Sequence, residues 1–379
     1  MKKILLFLWV AAGLQTTLNA QTKTPKASIL IQNASKQKRT AAVTAIPWES
    51  VLAKYPGIDT ANFKVLNTAQ KEVPFQLEFK GLRTPQHLLV QIDVPANGSV
   101  KLTIVPGKAI KPVQKTFGRY IPERKDDFAW ENDKVAFRMY GKALESSPKE
   151  NAYGIDVWGK RVSRMVLNER YKRGRYHEDL GDGNDYYHVG LTLGAGDIAP
   201  ISGDKIYYPL NYRTWKILDQ GALRFTFQLS YENWDVAGKL VKVVKTISLD
   251  AGSHLNRVEA NYEYPGSADL PVVVGIIKRA EPGTILLNER QGVMGYWEPQ
   301  HGADGTMGIG VILSDPKLQM KVTKEQLLAE TKAQSGSPVV YYNGAAWDKA
   351  GEITTAEAWF AYLNNFKQAL EQPLKVSVQ

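Results

Sequence analysis

The densest group of side chains able to move protons or hold a sugar lies in residues 176–190. There His177 and His188 sit among Tyr176, Tyr186, Tyr187 and the acids Glu178, Asp179, Asp182 and Asp185. An imidazole or phenol held beside carboxylates and cations works as a general acid or base, because such neighbours move its pKa towards working pH. Histidine chemistry has few other places to occur, since the chain holds only 5 histidines: His87, His177, His188, His254 and His301. Asp179, Asp182, Asn184 and Asp185 also offer hard oxygens for a structural calcium, although their spacing departs from the calcium-loop pattern. A plain polar turn with surface aromatics fits the same residues.

A second cluster, residues 123–132, places Arg124, Lys125, Asp127 and Trp130 just before a strand-like run. A sugar site needs an aromatic face for the apolar side of the ring and charged groups for hydroxyls and carboxylates. A solvated loop whose charges pair with one another explains the same composition. Between the two clusters, strand alternation would put Asp156, Trp158 and Lys160 on one face, with Arg161 following. Residues 296–302, with Trp297 and His301, and residues 343–349, with Trp347, repeat the pattern of an aromatic beside an ionisable group in a glycine-bearing loop. Trp347 reads more readily as packing. No Walker sequence, dinucleotide fingerprint, Gly-x-Ser-x-Gly elbow or His-Glu-x-x-His helix is present, so the common recognisable reactions lack support. Without cysteine there are no disulfides, thiol nucleophiles or cysteine-ligated metals, and no cofactor is expected.

These segments need a frame, and the frame reads as all-β. From residue 28 to 105, short β-branched runs alternate with turns such as Pro95-Ala96-Asn97-Gly98, which predicts a small N-terminal β-sandwich over residues 21–105. Residues 106–115, with two prolines and several lysines, read as a linker. Residues 116–379 read as a second, larger domain, in which Phe225, Phe227, Leu229 and Tyr231 alternate with polar residues at the period of a half-buried strand. Many such runs in succession predict a large antiparallel sandwich. Thr354 and Glu357 have capping-box spacing ahead of Trp359, Leu363, Phe366 and Leu370, so one C-terminal helix follows. Leu374, Val376 and Val378 return to strand alternation, and that last strand is expected in the main sandwich.

The chain of 379 residues is 44% hydrophobic and 23% charged, which is globular composition. Residues 1–20 combine Lys2 and Lys3, an apolar run and a small-residue end at Ala20, the pattern of a cleaved secretory signal. Later runs are too short for a membrane span of about 18 residues. A periplasmic or secreted protein with no membrane partner is expected. Losing the leader removes only two lysines from a formal charge of +10. In an exported protein that surplus attracts acidic oligosaccharides more plausibly than nucleic acid.

Residues 123–140, 154–161, 176–196 and 342–347 together resemble a family of exported proteins catalogued as a domain of unknown function and encoded in polysaccharide-utilisation loci. The resemblance implies a galactose mutarotase-like supersandwich in the second part of the chain. A further likeness to an oligosaccharide dehydratase of the ulvan pathway implies removal of water from a non-reducing-end uronic acid, leaving a 4,5-unsaturated sugar. Position by position it marks Arg124, Lys125, Asp127, Trp130, Trp158, Lys160, Arg161, His177, Asp179, Asp185 and Tyr187. Position 182, where the pattern has Glu, holds Asp. The chemistry expected is a uronate clamped by Arg124 or Arg161, with either His177 or Tyr187 as the base and the other as the acid. A polysaccharide lyase, a glycoside hydrolase, an epimerase and a non-catalytic sugar-binding protein are the alternatives.

Overall fold

The computed structural model describes residues 27–315 and 317–379; the expected signal at 1–20 lies outside them. Strand takes 47% of the residues against 12% in helix, so the chain is all-β. No helix among the described residues is long and apolar enough to cross a membrane.

The first sandwich faces a four-stranded sheet against a three-stranded one. Ala27–Gln32 buries every second residue, and Ile29 and Ile31 meet Val65, Leu102 and Ile104 from its own sheet and Leu88, Val90 and Val94 from the opposite one. The last strand, Lys375–Val378, pairs antiparallel with Ala27–Gln32, Ile29 opposite Val378. It therefore completes the first sandwich instead of the main one, because its half-buried Val376 and Val378 find that apolar face. Residues 107–115 form no strand, and Ile110 and Val113 stand exposed.

The rest is a large antiparallel supersandwich. A nine-stranded sheet packs against a five-stranded one, with a further four-stranded sheet, ordered 156–158, 136–139, 127–132 and 116–121, beside them. Phe225, Phe227 and Leu229 are fully buried in the shared core with Phe128, Trp130 and Phe137. Among the described residues three α-helices attach: α1 (Trp48–Lys54), α2 (Leu167–Arg173) and α3 (Ala356–Glu371). Helix α3 is capped by Thr355, whose Oγ1 accepts from the Ala358 amide at 3.2 Å; the cap sits one residue after the Thr354 expected. The helix buries Trp359 and Leu363 against strands thinned by glycine: a Cβ on Gly310 would lie 2.4 Å from Leu363 Cδ2.

Candidate active site

The four-stranded sheet sets the floor of the site. Asp156 lies directly opposite Arg138, and Arg138 opposite Ala129, so Asp127, two residues from Ala129, shares their face. All three side chains are buried. Arg138 donates from Nε to Asp156 Oδ2 at 2.9 Å and from Nη2 to Asp185 Oδ2 at 2.9 Å, while its Nη1 stands 3.7 Å from Asp127. Tyr140 donates to the same Asp156 oxygen at 2.9 Å.

Asp185 reaches this cluster from the loop that follows α2. That helix ends on Gly174 in the left-handed conformation, and Arg170 inside it donates to the carbonyls of Gly159 and Asp182. The loop then runs against residues 159–161, with Gly159 N–H donating to Asn184 and Arg161 N–H to Asp182. Only glycine fits at 183, where φ is +107° and a Cβ would fall 2.1 Å from the Gly159 oxygen. Asp185 N–H closes the loop on Tyr176 at 2.7 Å. Tyr176 stacks on Trp158, centroids 5.3 Å apart, with the Arg138 guanidinium 5.0 Å from the Trp158 ring.

Above this floor opens a cavity of about 530 Å³, with Arg124, Arg138, Tyr140, Lys149, His177, Asp185, Tyr187 and His188 in its wall. His177 Nδ1 lies 2.7 Å from the Asp185 backbone oxygen. A carbonyl can only accept, so Nδ1 carries the proton and the Nε2 lone pair of the neutral ring is available to a ligand. Arg124 makes only long contacts of 3.4 Å, to Tyr176 and Asp127. Buried polar atoms without a partner gather here: Arg138 Nη1 and the Tyr186 and Tyr187 hydroxyls.

Three carboxylates around one guanidinium hold more negative charge than it can balance. Burial, helped by Asp156 and Asp127 and opposed by Arg138 and Arg124, pushes the Asp185 carboxyl up to about 8. Burial also lifts Asp127 to about 6, against the pull of Arg138 and Arg124. Behind the Tyr187 ring, Arg279 lies 4.5 Å from the centroid and pairs with buried Glu298, whose carboxyl burial raises to about 7.

The residues marked in the sequence divide. His177, Arg124, Asp185 and Tyr187 meet at the cavity, with Asp127 beneath and Lys125 at the edge, where it pairs with Glu150 at 3.0 Å. Tyr187 lies in the cavity wall with its hydroxyl buried and without a hydrogen-bond partner. Arg161 is directed elsewhere: it pairs with Asp179, lies 5.1 Å from the Trp347 ring and is not among the residues that line the cavity. Asp179 also accepts from the Gly181 and Gly183 amides at 3.1 Å and holds the loop's shape. Trp130 is a core residue donating to Asn256 at 2.8 Å, and Trp158 is a buried support under Arg138; neither offers a face to a sugar. Lys160 is sealed against Glu131 at 2.6 Å. Trp297 packs in the cluster under α3. His301 is exposed and stacks on Tyr186 at 5.2 Å, beside the cavity. Of the oxygens considered for calcium, those of Asp179, Asp182 and Asp185 are engaged by Arg161, Arg173 (3.1 Å) and Arg138, whereas Asn184 Oδ1 is buried without a hydrogen-bond partner; no metal-holding cluster occurs among the described residues.

Sequence reasoning missed Arg138, Tyr140, Arg279 and Glu298. The available signal was an arginine at 138 inside an otherwise apolar strand, since a charge in a fully buried run needs partners. A larger hollow of about 800 Å³ lies between strand Arg39–Pro47 and α3, and none of the marked residues reaches it.

A supersandwich of this kind also occurs in larger carbohydrate enzymes. The fold matches an alpha-mannosidase from Enterococcus faecalis V583 with TM-score 0.54 and 8% identity, over 93% of this chain and 46% of that one. A protein in glycosyl hydrolase family 38 from Enterococcus faecalis gives TM-score 0.54 and 8% identity over 93% of this chain and 47% of its own. The chain thus spans about half the length of these solved proteins, and the likeness is one of fold. The chain itself belongs to the family described as domain of unknown function (DUF4861), matched over residues 31–376. Along its whole length it is 28% identical to uncharacterized protein P7 of Formosa agariphila, covering 100% of both chains.

Proposed function

We propose that the protein is an exported, periplasmic or secreted carbohydrate-active enzyme that eliminates water from a non-reducing-end uronate of an acidic oligosaccharide, leaving a 4,5-unsaturated sugar. The observation that carries this reading is the imidazole of His177, tautomer fixed by the Asp185 carbonyl, facing a cavity it shares with the lightly engaged Arg124. His177 Nε2 takes the C5 proton. Arg124, with Lys149 beside it in the wall, neutralises the charge that builds on the substrate carboxylate as that proton leaves. The surplus of lysine and arginine over acid in the chain and the likeness to an ulvan-pathway dehydratase support the uronate.

Hydrolysis has less support. It asks for two carboxyl groups on opposite sides of the scissile bond, whereas the acids in this wall are Asp185 and Glu150, and Glu150 is an exposed partner of Lys125. Incubation with uronate-terminated oligosaccharides, followed by ultraviolet absorbance of the conjugated double bond and by product mass, tests the reading. A product one water lighter and undivided is expected. Two fragments of unchanged total mass would instead mean lyase action, and an unaltered oligosaccharide would mean binding without chemistry.

A further inference from the structure

The elimination also needs a proton for the departing oxygen. Besides the Tyr187 hydroxyl, which is buried without a hydrogen-bond partner, the wall offers one carboxyl at floor depth. Asp127 and Asp156 lie beneath, but Asp185 reaches the cavity. Among the described residues its carboxyl accepts from Arg138 at Oδ2, and Oδ1 takes no hydrogen bond. The same residue carries His177 on its backbone oxygen, and His177 Nδ1 stands 3.7 Å from Asp185 Oδ2. Base and carboxyl are therefore neighbours on one wall, not facing walls.

We infer that Asp185 protonates the departing C4 oxygen while His177 removes the C5 hydrogen from the same side, so the enzyme performs a syn elimination and takes uronates whose C5 hydrogen and C4 oxygen are cis. This rests on the elimination reading above and names its substrate stereochemistry. His177 Nε2 takes the C5 proton, the C5–H electron pair becomes the C4=C5 bond, and the C4–O bond breaks towards oxygen. That oxygen takes the Asp185 proton and leaves as water; the imidazolium then loses its proton and the carboxylate regains one, both by exchange with solvent. Glucuronate has the cis arrangement and its C5 epimer, iduronate, the trans one.

Asp185 is surrounded by Arg138, Asp156, Asp127, Arg124, Tyr140 and His177, and with its carboxyl raised to about 8 it holds a proton at neutral pH. A general acid of this kind supplies at least about a hundredfold in rate.

The test compares otherwise identical oligosaccharides ending in glucuronate or iduronate, with the wild type and Asp185→Asn. For the wild type, unsaturated product should form at least about a hundredfold faster from glucuronate, with kcat falling as pH rises through about 8. Asp185→Asn, which keeps an acceptor for Arg138, should lose about a hundredfold or more in kcat with KM within about threefold. It should recover much of that loss on a substrate whose C4 group leaves without a proton, such as a 4-O-sulfate. Equal or faster reaction of iduronate by the wild type overturns the syn geometry whatever the folding of the variant. A folded Asp185→Asn within severalfold of wild type overturns the acid role. No unsaturated product from either epimer overturns the elimination reading itself, and this role with it.

Discussion

At the scale of single residues, the candidate site separates side chains that line the cavity from those that hold them in place. His177 is exposed and tautomer-fixed, so His177→Ala should cut turnover by at least about a hundredfold while the fold, read by circular dichroism, stays intact. Arg124 is only partly engaged, through contacts of 3.4 Å. Arg124→Ala should therefore raise KM for a uronate oligosaccharide by about tenfold or more, and Arg124→Lys should restore only part of it, because an ammonium cannot grip a carboxylate in bidentate fashion. Arg161 makes the opposite case. Its guanidinium serves Asp179 and the Trp347 face, so Arg161→Ala should leave KM near wild type and cost about 1 kcal/mol or less in urea unfolding. A KM effect as large as that of Arg124 would return Arg161 to the clamp.

At the scale of elements, three short strands fix Asp127, Arg138 and Asp156 on one face by register alone, and α2 with its loop delivers Asp185 and His177 onto it. Helix α3 does different work, sealing the far side of the nine-stranded sheet with Trp359 and Leu363 over glycine-bearing strands. Gly310→Ala would place a methyl group 2.4 Å from Leu363, and overpacking of this sort costs about 1–3 kcal/mol. Urea denaturation should register that loss while KM for the oligosaccharide stays unchanged. The strands and α3 were legible from period and composition, since burial of one face forces alternation whatever the topology. The cap slipped by one residue because Thr354 and Thr355 are both competent caps, and the choice between them depends on how the chain leaves the preceding turn.

At the scale of the whole molecule, burying carboxyls couples folding to pH. Asp127, Glu298 and Asp185 are raised to about 6, 7 and 8, whereas unfolded carboxyls ionise near 4. Between those limits the folded chain binds more protons than the unfolded one, so stability falls as pH rises from about 4 to about 8. Glu352, held down at about 2 by His254 and Lys134, acts in the opposite sense only below about pH 4. The melting temperature should therefore decline from pH 5 to pH 8, and Asp185→Asn should flatten the upper part of that decline. A melting temperature that rises over this range would mean that the carboxyls ionise without penalty.

Residue order alone determined the all-β architecture, the C-terminal helix and the neighbourhood of the site, because alternation, turn residues and local crowding of ionisable groups are short-range properties. It also brought forward Arg124, His177 and Asp185. Which cations stay available was decided only in three dimensions: Arg161 and Lys160 find carboxylates before any ligand does, Trp130 and Trp158 are consumed by packing, and the last strand crosses to the first sandwich. Arg138 shows why. Its importance comes from Asp127, Asp156 and Asp185 converging on one guanidinium, and charge balance in a buried cluster depends on distances between chain segments that the linear order does not specify.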